Sequence, residues 1–337
     1  MTPDALDELL SRPAPGVAEA LARCSGDIVV LGAGGKMGPS LARMARRAAS
    51  ELGDGRRIIA VSRFGSREAE EALRAHGVET VRCDLLDRAS VARLPDAPNV
   101  IFMAGQKFGT RDAPASTWAM NVLVPAIAAE RYAGSRIVAF STGNVYPLTP
   151  AARGGAREDD VLAPVGEYAQ SCVGRERILE HFAARDGTPV AIVRLNYAIA
   201  LRYGVLTDIA LAVARGEPID LAMGHVNVIW QGDANARALR CLPHAAVPPF
   251  VVNVTGGETL SVRALAERLG ALLGRAPRFA GSEAEDALLS STARSDALFG
   301  PPEVPLERML EWAAEWVRAG GEMLGKPTHF GERAGAF

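Results

Sequence analysis

Three glycines, Gly32, Gly35 and Gly38, follow the apolar run Asp27 to Leu31 and lead into a stretch with helical spacing, Met37 to Ala49. That order suits a pyrophosphate. The first glycine permits a tight turn, the second lets backbone amides approach the phosphates, and the third lets the helix pack close with its N-terminus facing the anion. A second apolar run, Arg57 to Val61, ends in Ser62-Arg63 with Ser66 nearby. An acidic residue there would accept from a ribose 2′-hydroxyl, whereas this arginine suits a 2′-phosphate, so the expectation is NADP over NAD; the other reading of Arg63 is a solvated loop side chain. Asp84, after a third run, can accept from an adenine amino group or cap the short helix that follows. After a fourth, Ala104 and Gly105 again allow close backbone approach, and Lys107 adds a cation. Lysine is scarce: Lys36, Lys107 and Lys326 are the whole set, and two of the three are expected to matter.

These residues need a frame that brings strand ends together. Apolar runs at Asp27–Leu31, Arg57–Val61, Val78–Arg82, Asn99–Met103, Arg136–Phe140 and Val190–Leu195 predict strands, with helices between them at Met37–Ala49, Arg67–His76, Trp118–Tyr132 and Gly166–Arg185. Strands alternating with helices predict an α/β protein, a doubly wound parallel sheet with its ligand at the carboxyl ends. Beyond residue 197 the pattern changes to shorter pieces, with strands at Val226–Trp230 and Phe250–Val254 and helices at Asp208–Arg215, Ser261–Leu273 and Leu306–Arg318. The expected division is a helical appendage at 1–24, a dinucleotide-binding domain at 25–197, and a smaller substrate lobe at 198–337 interleaved with the end of the sheet.

The totals narrow the class. A formal charge of −2 and a pI near 6.3 give no sign of nucleic acid or an anionic membrane as partner. No apolar run reaches the ~18 residues of a membrane span, and the acidic start MTPDALDELLSRP lacks the pattern of a signal peptide. Cys24, Cys83, Cys172 and Cys241 form no CxxC pair, so neither metal nor disulfide is expected. The expectation is a cytoplasmic protein acting on a small molecule.

The ordered motifs resemble the extended short-chain dehydrogenase/reductase family, which includes sugar-nucleotide epimerases and dehydratases. GAGGKMG at 32–38 resembles its TGxxGxxG turn, and MAGQKFG at 103–109 the loop after strand four where a lysine contacts the cofactor. STGNVYP at 141–147 is similar to the serine- or threonine-rich VYG motif, VIWQGDANARAL at 228–239 to VxVxDVARAL, and VNVTGGETLSVRALAERLG at 252–270 to NVGSGEPVSVRELAE. The likeness spans about residues 25–320. It implies an NAD(P)-dependent oxidoreductase or epimerase acting on a carbohydrate-like hydroxyl or ketone, with Tyr168 as acid/base and Thr142 on the reacting oxygen. The implied cofactor contacts are Gly32, Gly35, Lys36, Met37, Gly38, Ser62, Arg63, Asp84, Leu85, Met103, Ala104, Gly105, Lys107, Asn121, Tyr168, Cys172 and Leu195. A homodimer through the helices near Trp118 and Gly166 is implied too, although their apolar faces suit an intrachain core equally.

The chain departs from the family pattern at three places. In YAQSCVGRE at 168–176, Cys172 stands where YxxxK requires a lysine, which would share a helix face with Tyr168 and lower its pKa from ~10. Three readings follow: Lys107 or Arg175 replaces that cation, with Lys107 entering the catalytic set; the protein binds cofactor with little or no turnover, as a regulator or sensor; or Cys172 takes a chemical role, against the default that it is a small buried hydrophobe. The stretch before Val228, Ala222-Met223-Gly224-His225, lacks the arginine that grips a sugar-nucleotide diphosphate, while Arg202 and Arg215 upstream can face either solvent or anions. A substrate smaller than a nucleotide sugar is therefore expected, such as a free sugar, sugar acid or cyclitol, with Asn144, Asn196, His225 and Trp230 as candidates for lining its pocket; the commoner reading of His225 is a core or capping histidine. Lastly, Asn196 falls two residues after Arg194, where three is usual.

Overall fold

The computed structural model describes residues 1–110, 112–326 and 328–336. Seven strands form one sheet: β1 (Ile28–Leu31), β2 (Ile58–Ser62), β3 (Glu79–Arg82), β4 (Asn99–Phe102), β5 (Arg136–Thr142), β6 (Val190–Leu195) and β7 (Phe250–Val254). Every pairing is parallel, in the order β7-β6-β5-β4-β1-β2-β3. Such a sheet must be buried on both faces, which is why its strands read as continuous aliphatic runs. The order reverses between β1 and β4, and ligands bind in the crevice at such a switch point.

Alternate residues of β1 enter opposite cores. Ile28 and Val30 face α2 (Val17–Ala22), α3 (Gly38–Leu52) and α10 (Gln231–Arg240), whereas Val29 and Leu31 face α7 (Val124–Arg131) and α8 (Gly166–Asp186). A third core joins α9 (Val205–Arg215), α11 (Val262–Leu273) and α13 (Leu306–Arg318) around Trp230 and Trp316. Residues 1–24, expected as an appendage, are anchored in these cores: Leu6 and Leu10 of α1 (Pro3–Leu10) enter the third, and Val17 and Leu21 of α2 the first.

Two sequence expectations change. The helix expected from Trp118 starts at Pro114 as α6 (Pro114–Trp118) and passes through a π-helical turn, Ala119–Leu123, before α7. The strand expected over Val226–Trp230 is two short pieces: His225–Val226 pairs antiparallel with Leu260–Ser261, and Ile229–Trp230 pairs parallel with Ala198–Ile199. Asn227 separates them because its side-chain amide donates to Ser290 O at 2.7 Å, and that bond diverts the chain.

Candidate active site

The glycine turn folds as its composition requires. Gly32 has φ +86°, and a Cβ there would meet the Ala104 backbone N at 2.6 Å, so the turn closes onto the end of β4 only with glycine. A Cβ on Gly38 would run into the Ala33 carbonyl, so the start of α3 packs directly on the turn. Gly34 and Gly35 stay exposed above the positive end of α3. Beside them is a cavity of about 710 Å³ lined by Gly35, Lys36, Gly105 and Lys107. A smaller chamber of about 150 Å³ shares Lys36, Lys107 and Tyr203 with it and adds Met37, Thr142, Asn144, Tyr168, Leu195 and Asn196.

Tyr168 lies in the first turn of α8, with its hydroxyl in hydrogen-bonding reach of Thr142 and of the Cys172 thiol. Burial pushes the phenol well above its ordinary pKa and Cys172 adds to the rise, while Arg175 and Thr142 oppose it. Thr142, at the end of β5, donates to Asn144 Oδ1 at 2.9 Å. Cys172 is fully buried against Val145, Tyr146 and Ala156 and lines neither cavity, which corrects its expected place among the cofactor contacts. Burial raises its thiol pKa, so the thiolate that nucleophilic chemistry needs is disfavoured.

Both cations considered as substitutes for the missing lysine lie near Tyr168. Lys107 Nζ is 5.9 Å from the Tyr168 ring centroid and donates to Thr328 O at 3.4 Å. Burial lowers its pKa to about 8. Arg175 is buried beneath the loop after β4, donating to Phe140 O and Asn121 Oδ1, both at 2.7 Å. Lys36 crosses the cleft to Ala198 O at 3.0 Å with its Nζ 3.9 Å from the Tyr203 ring centroid. Burial, and then the charge of Lys107, lower its pKa to about 7.

Several expected contacts have other duties. Asn121 has no exposed surface: its Oδ1 accepts from Gln106 N and Arg175, and its Nδ2 donates to Gln106 O and Ser171 Oγ. That fills its hydrogen-bonding capacity, so it fixes the β4 loop and leaves nothing for a ligand. Asp84 accepts from Leu86 N, and the cap of the next helix is Asp87, so the capping role considered for Asp84 falls to its neighbour. Ser62, exposed Arg63 and exposed Asp84 stand at the ends of β2 and β3, outside both cavities; Leu85 and Ala104 are buried, and Met103 continues β4 by donating to Leu31 O. His225 and Trp230 line neither cavity. His225 is held in its two-residue strand, and Trp230 is 1% exposed, packed in the third core with its ring centroid 5.2 Å from that of Trp312 and the two planes tilted by 56°.

Sequence reasoning missed the walls supplied from far along the chain. Leu6, Asp7 and Leu10 of α1, with Leu324 and Lys326, line the large cavity, and Thr328 lines the chamber. Arg202 links both ends of the chain, donating to Asp7 Oδ1 at 2.5 Å and accepting at its carbonyl from Leu324 N at 3.0 Å. Arg215 is exposed at the end of α9. All three lysines line the cavities, one more than expected, and the scarcity of lysine was the available signal.

The parallel sheet, glycine turn and chamber define a dinucleotide-binding oxidoreductase fold of the extended short-chain dehydrogenase/reductase type. The profile of the NAD dependent epimerase/dehydratase family matches residues 28–230, and the chain belongs to that family of enzymes. Similar solved structures include MoeE5 in complex with UDP-glucose and NAD, at 21% identity, TM-score 0.68, covering 88% of this chain and 99% of that one. A UDP-glucuronic acid 4-epimerase from Bacillus cereus is similar at 16% identity, TM-score 0.71, covering 87% and 99%. Thermus thermophilus UDP-glucose 4-epimerase in complex with NAD is similar at 20% identity, TM-score 0.69, also covering 87% and 99%. None of the curated proteins compared with the chain matches it.

Proposed function

We propose that the protein oxidises, reduces or epimerises a carbohydrate-like molecule smaller than a nucleotide sugar. The observation that carries this reading is the convergence of Thr142, Asn144, Tyr168, Leu195, Asn196 and Lys107, from separate segments, on one chamber beside the glycine turn. A dinucleotide fits the cradle: the turn at Gly32 admits no Cβ, Gly34 and Gly35 are exposed, and α3 presents its positive end. The bound nicotinamide supplies or accepts hydride. Tyr168 exchanges the proton of the reacting oxygen, Thr142 orients that oxygen, and Lys107 brings positive charge to the tyrosine. The segment Ala222-Met223-Gly224-His225, which carries no arginine for a sugar-nucleotide diphosphate, supports a small substrate, although the similar solved structures include complexes with UDP-sugars.

Exposed Arg63, with no acidic neighbour at the end of β2, supports NADP over NAD. A homodimer through α6 and α8 fits the exposed Trp118, Leu123 and Val165. The raised pKa of Tyr168 favours a second reading, a cofactor-binding protein with little turnover. Denaturing the purified protein and identifying released dinucleotide by mass spectrometry tests the first reading. Retained cofactor indicates an internal redox cycle, as in an epimerase; an empty protein that still binds NADPH on titration indicates a dehydrogenase or a sensor; one that binds neither NADPH nor NADH overturns the assignment.

A further inference from the structure

Asn196 follows the last residue of β6, and each hydrogen it can donate goes to a partner in the protein. Its N donates to Val254 O at 3.0 Å, and its Nδ2 donates to Asn227 Oδ1 at 2.9 Å and to Leu288 O at 3.2 Å. An amide nitrogen carries two hydrogens, so both are taken. Its Oδ1 has no donor among the described residues, and Asn196 lines the chamber together with Thr142 and Tyr168.

Two backbone carbonyls decide which end of that amide is left for the chamber. A carbonyl only accepts, so Leu288 O requires the nitrogen of Asn196, and Ser290 O, 2.7 Å from Asn227 Nδ2, requires that of Asn227. Asn227 therefore offers its oxygen to Asn196. Both asparagines are buried, at 3% and 1% exposure, and turning either amide over would leave polar atoms unpaired. The carbonyl-bearing segment is fixed in turn, because Leu289 O accepts from Ala156 N at 2.9 Å and Ala156 O accepts from Ser291 N at 2.8 Å. The backbone carries the same constraint. Tyr197 has φ +39°, a left-handed conformation rare outside glycine, and it turns the chain directly after Asn196. Gly143 leaves room for the amide, since a Cβ there would stand 3.2 Å from Asn196 Cγ.

We propose that Asn227 is a positioning residue that holds Asn196 as a hydrogen-bond acceptor, and that Asn196 Oδ1 takes an N–H of the nicotinamide carboxamide. The inference rests on the dinucleotide reading above and deepens it. For hydride transfer the nicotinamide ring must share the chamber with Thr142 and Tyr168, and its carboxamide nitrogen, a donor only, needs an acceptor there. Neighbouring polar groups are engaged elsewhere: Asn144 Oδ1 accepts from Thr142, the Tyr197 hydroxyl donates to Phe330 O at 3.4 Å, and Lys36 donates to Ala198 O. Turning the ring over about its glycosidic bond would carry the carboxamide away from Asn196, so this contact selects the face that meets the reacting carbon.

3-Acetylpyridine adenine dinucleotide and its 2′-phosphate carry a methyl ketone in place of the carboxamide and lack its N–H. Isothermal calorimetry on the full chain compares their affinities with those of NAD and NADP. Wild type should bind the natural cofactor of the preferred series about five- to tenfold more tightly than its acetylpyridine analogue, as expected for one neutral hydrogen bond. In Asn196→Ala the ratio should fall to about one, and in Asn227→Ala below about three. Asn227→Asp, which keeps an acceptor for Asn196 Nδ2, should retain the wild-type ratio. A merely structural role for either asparagine would weaken both ligands alike and leave the ratio unchanged. The proposal is overturned when wild type binds the two ligands equally, a comparison that needs no variant to fold, or when the ratio survives in Asn196→Ala or in Asn227→Ala. A chain that binds none of the four dinucleotides fails at the functional reading instead, and this inference falls with it.

Discussion

Two buried cationic regions flank the end of β5 and are built on opposite plans. In one, Arg194 is nearly enclosed and forms an ion pair of 2.7 Å with fully buried Glu176, donates to the Tyr146 hydroxyl and to Glu158 O, and has its pKa held up by that carboxylate. Ser141 Oγ donates to the same Glu176, and Tyr146 to Asn253, so the network ties β5, β6, β7 and α8 together. In the other, Lys36 and Lys107 line a chamber whose described lining residues include no Asp or Glu, and burial drives both amines toward neutrality. A charge with its partner built in serves architecture; a charge whose pKa burial shifts beside a cleft marks a candidate functional group.

Glu176 is where the two plans part most sharply. Glu176→Gln should cost about 3–5 kcal/mol in urea denaturation, because it leaves Arg194 buried without its counter-ion; a loss below about 1 kcal/mol would collapse the distinction between the regions. Tyr168→Phe should lower turnover by about 10²–10⁴-fold on any substrate found, with dinucleotide affinity and melting temperature nearly unchanged, as steady-state kinetics and calorimetry can check. Asn121→Ala should cost about 2 kcal/mol and loosen the β4 loop, seen as faster amide exchange at Gln106.

Lys36→Met should do the reverse of Glu176→Gln and stabilise the protein. The folded pKa of Lys36, about 7, lies below the 10.5 of free lysine, so between these values the unfolded chain binds more protons and stability rises with pH. The full penalty stands below pH 7. The variant should therefore gain on the order of 1 kcal/mol at pH 6, shrinking as pH climbs toward 10.5, in urea titrations at both ends. The smallest change is expected at Arg67, exposed on α4 (Arg67–Ala75) and paired with Glu71 one turn away: Arg67→Ala should alter stability by about 0.3 kcal/mol, showing that burial, and not arginine itself, makes the first region strong.

What the sequence made legible follows the range of the interactions. Seven strands and the glycine turn were readable because aliphatic runs and turn glycines report local requirements. That Thr142, Asn144, Tyr168, Leu195 and Asn196 would meet at one chamber was readable because each follows or opens an element of that frame. Trp230 and His225 were misplaced because one tryptophan goes to the third core and a two-residue strand holds the histidine, and both outcomes depend on α13 and on Leu260–Ser261. Asn121 lies on a recognisable helix, but its duty is set by Gln106, Ser171 and Arg175, which no spacing rule connects. Lys326 and Thr328 reach the cavities only through tertiary packing, and neither lies in a helix or strand.

The edge position of β7 has a consequence for synthesis on the ribosome. β6, with the sequence VAIVRL, ends at Leu195, while the strand that covers its outer side ends at Val254, 59 residues later. At about 5–20 residues per second, the nascent chain carries an aliphatic strand with one open edge for roughly 3–12 seconds. An exposed edge of that kind recruits other chains. Translation rate and chaperone supply during that interval should therefore govern how much soluble protein a cell obtains.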